Sequence, residues 1–174
     1  MQIYIMRHGE AANIAGEDSL RPLTIHGKIE AEKMGLWLVS CKPRLLNILV
    51  SPYLRAQQSC VTVIDVLSKA SLLNGISPET VDFITPSGNA RQVHDYIDGL
   101  VHNNNDDIAA NNSTEEQAIL LVSHMPFVSY LVGELTGSLN MPIFSTGAIA
   151  IIDYDIKQMQ GKLLDIVSPA RVKL

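Results

Sequence analysis

Three short stretches of this sequence pair a small or cationic residue with a histidine or an arginine: Arg7-His8-Gly9, Ser51-Pro52 leading to Arg55, and Ser123-His124. A neutral imidazole is a nucleophile near physiological pH, and a guanidinium presents a planar fork of donors matched to the oxygens of an anion. Two of each, brought together, would suit transfer of a phosphoryl group. His8 could then take phosphorus in a first step and return it to water in a second. Arg7 and Arg55 would hold the equatorial oxygens, and His124 would add a hydrogen bond. Gly9 allows a close backbone turn, and a helix N-terminus after each motif would aim N–H groups at the anion. Each motif alone has an ordinary reading, with His8 ending a strand, Arg55 solvated on a helix and His124 satisfying a loop. What joins them is that all three follow strand-like runs.

The elements that must position them alternate short β-type runs with longer segments of helical period, the pattern of strand–helix–strand units in a largely parallel sheet. Gln2 to Met6 reads as the first strand. Thr24 can cap a helix whose Met34, Trp37, Leu38 and Cys41 share a face, and Pro43 ends it. Leu46 to Val50 reads as the second strand, followed by a helix from Tyr53 to Lys69 with Cys60, Val63, Ile64 and Leu67 on one side. Val81 to Ile84 reads as a third strand, and Val93, Tyr96, Ile97 and Leu100 mark a further helix. From His102 to Gln117 the chain turns polar and reads as a surface loop that supplies no core. Ala118 to Val122 reads as a buried strand, Pro126 as the first turn of a helix through Leu135, and Ala148 to Asp153 with Leu163 to Val167 as a closing strand pair. In an open parallel sheet, the loops after the carboxyl ends of the strands meet on one edge, so Arg7, His8, Arg55 and His124 are expected around one pocket.

Met6-Arg7-His8-Gly9-Glu10, Arg21-Pro22-Leu23-Thr24, Ser51 through Ser59 and Ser123-His124-Met125-Pro126 together resemble the histidine phosphatase superfamily, over most of the chain and in order. The early Arg-Pro-Leu-Thr segment and the lack of a large inserted helical subdomain resemble its SixA branch. That resemblance implies one domain over residues 1–174 with three layers: a mostly parallel sheet, helices on both faces and a C-terminal antiparallel strand pair, as in phosphoglycerate mutase. It implies removal of phosphate from phosphohistidine on a histidine phosphotransfer domain or phosphocarrier protein. By motif, His8 matches the nucleophile, Arg7 and Arg55 the phosphate-binding arginines, His124 the second histidine and Arg21 a further anion-binding arginine, with Gly9 and Ser51 lining the same site.

The general acid is the role the motifs leave open. An alkoxide leaving group needs a proton donor, whereas imidazole departs more readily once protonated near neutral pH. Glu10, Glu17, Asp18 and Asp82 are candidates, and Asp18 ranks first for its nearness to Arg21. A small-molecule phosphomonoesterase with the same chemistry, or a phosphoprotein-binding module without turnover, remains a competing reading. Composition limits the rest. A net charge of −5 gives no field for nucleic acid, and 47% hydrophobic with 18% charged residues is a globular mix without a membrane-spanning run. Cys41 and Cys60 read as reduced core thiols, without ligand spacing for a metal, and no cofactor is expected. A cytoplasmic monomer is the corresponding expectation.

Overall fold

A computed structural model describes residues 1–73, 75–108 and 117–173, and of 103–108 the backbone alone. Its frame is a six-stranded sheet in the order β3-β2-β4-β1-β5-β6. The strands are β1 (Gln2–Arg7), β2 (Arg44–Val50), β3 (Pro78–Thr80), β4 (Gln117–Ser123), β5 (Ile149–Asp155) and β6 (Gln160–Val167). The first four are mutually parallel, and β5 and β6 run antiparallel at the far side. Helices α1 (Ile25–Cys41) and α2 (Leu54–Lys69) cover one face of this sheet, and α3 (Ala90–Ile108) with α4 (Phe127–Thr136) the other.

Strand pleating divides the core between these two faces. Ile3 and Ile5 of β1, Ile119 and Leu121 of β4, and Ala150 and Ile152 of β5 pack against Val93, Ile97, Phe127, Leu131 and Leu135 of α3 and α4. The alternate residues Tyr4, Met6, Leu120 and Val122 pack against Met34, Leu38, Cys60, Val63 and Leu67 of α1 and α2. Strands buried on both faces explain why β4 reads as a near-continuous apolar run. In β2 a register shift between Leu45 and Asn47 puts Leu45 and Ile48 on the same face, which strict alternation would not allow.

Helix ends follow the residues that were expected to set them. The Thr24 hydroxyl accepts from the Gly27 N–H at 2.9 Å and starts α1. Lys42, in the left-handed region at φ 49°, closes it just before Pro43. Three expectations shift. Val81 to Ile84 is not a strand; β3 lies immediately before it, and Val81 adds only one more bond, from its N–H to the Val50 carbonyl at 2.9 Å. Val81 and Ile84 are both buried, but three residues apart across a turn, so their spacing reports a plug over the sheet rather than a pleat. The polar stretch from His102 is also not all loop. Helix α3, anchored by Val93, Ile97 and Val101, carries its backbone bonds on through Ile108, and residues 109–116 lie outside the described part. Of the two cysteines only Cys60 is a core thiol. Cys41, the last residue of α1, is exposed.

Candidate functional site

The register of the sheet brings the three motifs to one level. Met6 lies opposite Val122, and Val122 opposite Val50, so the residues that follow all leave the sheet at the same height. Two more ladder bonds carry the pairing into the motifs, from the His8 N–H to the Ser123 carbonyl at 2.9 Å and from the Ser51 N–H to the Val122 carbonyl at 3.1 Å. Because β5 is antiparallel to β1, the segment leading into it lies beside the same edge. There the Arg7 N–H reaches the Ala148 carbonyl and the Gly147 N–H the His8 carbonyl. Arg7, His8, Gly9, Ser51, Arg55 and His124 therefore meet, as the sequence predicts.

His8 is held in one tautomer. Its Nδ1 lies 2.6 Å from the Gly9 carbonyl oxygen, which can only accept, so Nδ1 carries the proton and Nε2 a lone pair. Burial, opposed by that hydrogen bond and reinforced by the nearby charges of Arg55, Arg7 and Arg21, pushes its pKa down to about 4. The ring is neutral at pH 7. The turn that carries it is locked from behind by two glycines. A Cβ on Gly9 would meet the Gly27 carbonyl oxygen at 2.3 Å, and one on Gly27 would meet the Glu10 carbonyl oxygen at 2.1 Å. The glycine at position 9 thus serves a close backbone approach to α1. From α2 the Ser59 hydroxyl accepts the Gly9 N–H at 3.0 Å.

Arg55 comes from the first turn of α2. The stripe that packs Ala56, Cys60, Val63 and Leu67 on the sheet continues to Ser59 and Arg55, and this leaves the guanidinium only 5% exposed at the strand ends. Its Nε donates to His8 Nε2 at 3.2 Å, its Nη1 to the Asp18 carbonyl at 2.5 Å and its Nη2 to the Asp18 carboxylate at 2.9 Å. Tyr53 stacks under it at 4.9 Å and meets the His124 ring edge-on at 4.9 Å. Arg7 donates through Nη1 to the Phe144 carbonyl at 2.6 Å, while its buried Nε has no hydrogen-bond partner among the described residues.

His124 is 1% exposed, with its ring centroid 5.0 Å from that of His8. Its Nε2 lies 2.7 Å from the Ser51 hydroxyl, and its Nδ1 is buried without a partner among the described residues. Burial first, then the charges of its neighbours, pushes its pKa down to about 3. The neighbouring Ser123 hydroxyl donates to the Ile84 carbonyl at 2.7 Å and ties down the segment after β3. A buried donor or acceptor left unpaired costs about 1–3 kcal/mol, so two of them in one pocket mark a place built to bind something polar.

Arg21 and Asp18 sit at the mouth. Arg21 donates from Nε to the Ala12 carbonyl at 2.8 Å and from Nη1 to Asp18 at 3.0 Å. The proton-donor role expected of Asp18 does not fit its surroundings. The hydrogen bonds from Arg21 and Arg55 hold its carboxyl below the usual carboxylate range, so it stays ionised instead of storing a proton. The other acid candidates lie outside the pocket. Glu10 accepts from the Thr24 hydroxyl at 2.6 Å, Glu17 from the Ser19 hydroxyl at 2.5 Å, and Asp82 is exposed on the turn after β3.

Sequence reasoning missed the groups that brace the site. Glu30 of α1 is buried; its carboxylate accepts the Glu10 N–H at 2.7 Å and the Thr146 hydroxyl at 2.6 Å, and its charge acts on Arg7. It thereby links the His8 turn to the segment before β5. Its signal was present, because Glu30 falls on the α1 stripe of Gly27, Ala31, Met34 and Leu38, where an unpaired acid would be costly. The Phe144 carbonyl that receives Arg7 gave no such signal, since any residue type supplies one.

No family model matches the chain. It is 37% identical to the phosphohistidine phosphatase SixA of Escherichia coli (strain K12) over 174 residues, covering 100% of this chain and 98% of that protein. It is 34% identical to a SixA homolog of Haemophilus influenzae over 165 residues, 89% of each chain. Among solved structures, that of the protein histidine phosphatase SixA complexed with tungstate superposes with a TM-score of 0.85 at 36% identity, over 99% of this chain and 100% of the other.

Proposed function

The chain belongs to the SixA family of the histidine phosphatase superfamily, and from that premise we propose that it hydrolyses phosphohistidine in a protein through a covalent phospho-His8 intermediate. The observation that carries this reading is the His8 ring itself. Its proton is fixed on Nδ1 by the Gly9 carbonyl, and its Nε2 lone pair faces Arg55 in a pocket shared with Arg7 and His124. In the first step Nε2 attacks phosphorus in line, the bond to the substrate imidazole breaks, and that nitrogen departs with a proton. In the second, water attacks phospho-His8 and His8 is released neutral. Arg7 and Arg55 offer N–H groups to the phosphoryl oxygens as charge spreads over them. If the Ser51 hydroxyl donates to His124 Nε2, the unpartnered Nδ1 carries the proton and donates to the same group. Gly9 and Ser51 keep these two rings in place, and Arg21 extends the cationic lining to the mouth.

The ionised state of Asp18 favours a leaving group that needs no stored acid. With Asp18 ionised by its two arginines, an alkoxide would leave unassisted, whereas imidazole needs only the proton it gains near neutral pH. The phosphohistidine reads best as that of a phosphotransfer domain or phosphocarrier protein in the cytoplasm. One copy of the chain suffices, since a single chain supplies every group named. The described residues contain no helix long and apolar enough to cross a membrane, and no group of three or more His, Cys, Asp or Glu side chains that could hold a metal. Phosphate release from a panel of phosphohistidine proteins and alkyl phosphates tests the reading. The proteins should react about a hundredfold faster or more, the range a missing general acid costs, and a chelator should change nothing. Equal or faster turnover of sugar phosphates would instead point to a small-molecule phosphomonoesterase.

A further inference from the structure

A phosphoryl oxygen approaching His8 in line would take the edge of Arg55 that faces His8, its Nε–H and one Nη2–H. In the structure those two donors go to His8 Nε2 at 3.2 Å and to Asp18 Oδ2 at 2.9 Å. The second Asp18 oxygen, Oδ1, takes Arg21 Nη1 at 3.0 Å. One carboxylate therefore spans two of the cations that line the mouth, in the way an oxyanion would. We propose that Asp18 is an intramolecular competitor for the phosphoryl site, exchanging places with the oxyanion on Arg55 and returning to it as phosphate leaves.

The two partners of this ion pair are differently built. The Arg55 side chain is 6% exposed and anchored in α2, whereas that of Asp18 is 55% exposed. Asp18 begins a three-residue 3₁₀ turn that buries none of its own residues. Apart from the bonds of Asp18 itself to the two arginines, including the one from Arg55 Nη1 to its carbonyl at 2.5 Å, the loop is fastened at its base. The Ala12 N–H reaches the Pro22 carbonyl at 2.8 Å, Ala11 and Leu23 bridge, and the Leu23 N–H reaches Gln58 at 2.7 Å. Arg21 is held separately by its bond to the Ala12 carbonyl, so it stays at the mouth when Asp18 moves. A tip that surrenders little apolar contact can swing while its base and both arginines keep their places. The carboxylate and a dianionic phosphoryl group cannot share the fork, because they need the same N–H groups and repel each other. The exchange speeds product release at some expense in substrate affinity, and neutralising charge in the resting pocket is its second effect.

This inference rests on the phosphoryl-transfer reading of the site, and its test needs no turnover. Orthophosphate and tungstate binding would be measured by calorimetry at fixed ionic strength in wild type, D18N, R55A and the double variant. Asn keeps the shape of Asp18 without its charge, and D18A checks that the residual amide is not itself a ligand. Both single variants at 18 should bind the oxyanions about five- to tenfold more tightly, the scale of a partly solvated ion pair removed from competition. In the R55A background the change at 18 should vanish. Unchanged binding in D18N, or none measurable, would overturn the proposal. Weaker binding would overturn it too, and would make Asp18 a residue that positions Arg55 for the anion. Tighter anion binding without phosphohistidine hydrolysis would leave this exchange standing while the proposed activity failed.

Discussion

The two ends of the sheet each hold a histidine among polar groups, half-buried His94 at one and buried His124 at the other, with opposite outcomes. At the amino end, His94 of α3 lies 2.7 Å from the Tyr154 hydroxyl, which donates to Asp98 at 2.5 Å, and Glu134 of α4 stands 3.7 Å from the other ring nitrogen. The Tyr154 backbone pairs with Met1 in both directions. Each of these groups has its partner, and the cluster ties α3, α4 and β5 together. At the carboxyl end, His124 Nδ1 and Arg7 Nε are buried with none among the described residues, and His8 keeps a lone pair facing a guanidinium. A satisfied network rigidifies a core; an unsatisfied one is retained at a cost in stability, and the phosphoryl binding proposed for this site would be its reason.

The sharpest way to break that contrast is His8→Ala. The variant removes the phosphate acceptor but leaves Arg7, Arg55, Arg21 and His124, so phosphohistidine turnover should fall by on the order of 10⁴ or more while phosphoprotein binding persists. Wild-type rates in single-turnover assays would sink the proposed nucleophile. A smaller effect concerns acid. Unfolded, His8 takes up a proton near its ordinary value of 6.5, but folded only near 4, so between these values acid favours the unfolded chain. Stability should therefore be full above about pH 6.5 and decline towards pH 4, with His8 contributing on the order of 3 kcal/mol to the loss. Urea titrations across that window would show it, and His8→Asn should lessen the slope, with His124, pushed down to about 3 by burial, supplying the remainder. The smallest effect belongs to the other end. Tyr154→Phe strands Asp98 and His94 and should cost about 1–3 kcal/mol in unfolding free energy. Turnover should stay within about twofold, since nothing in that cluster reaches the pocket. A large loss of activity in that variant would mean the two ends are coupled and the contrast is false.

Residue types at strand ends carried most of the site. Arg7, His8, Ser51 and His124 were legible because each follows a buried strand, and the parallel register then leaves little freedom in where they emerge. Arg55 was legible one step further on, as the arginine that Ser51-Pro52 leads to after the second strand, and the structure adds that it extends the buried stripe of α2 into its first turn. Asp18 was found, but nearness to Arg21 in sequence does not reveal that Arg55 comes from elsewhere to favour its ionised form. Glu30 was readable from its place on the buried α1 stripe and was missed, whereas the Phe144 carbonyl was out of reach, since any residue type supplies one. The errors in the fold are of one kind. At Val81 and Ile84 apolar spacing was read as a pleat when it was a turn, and at 103–108 polarity was read as loop although the helix is anchored upstream.

The position of β1 in the sheet also governs the order in which the protein can assemble. Ile3 pairs with Ile119 on one side and Ile152 on the other, so β1 has no neighbour until more than a hundred further residues have been made. At ordinary rates of synthesis that is a wait of roughly ten seconds for an apolar strand. Such long sequence separations slow folding, and they leave the strand available to chaperones or to another nascent chain in the meantime. His8, one residue beyond that strand, cannot acquire its surroundings before β4 and the segment ahead of β5 arrive. The proposed nucleophile is thus made well before the strands that complete its pocket, so chains that stop short of β5 emerge without activity.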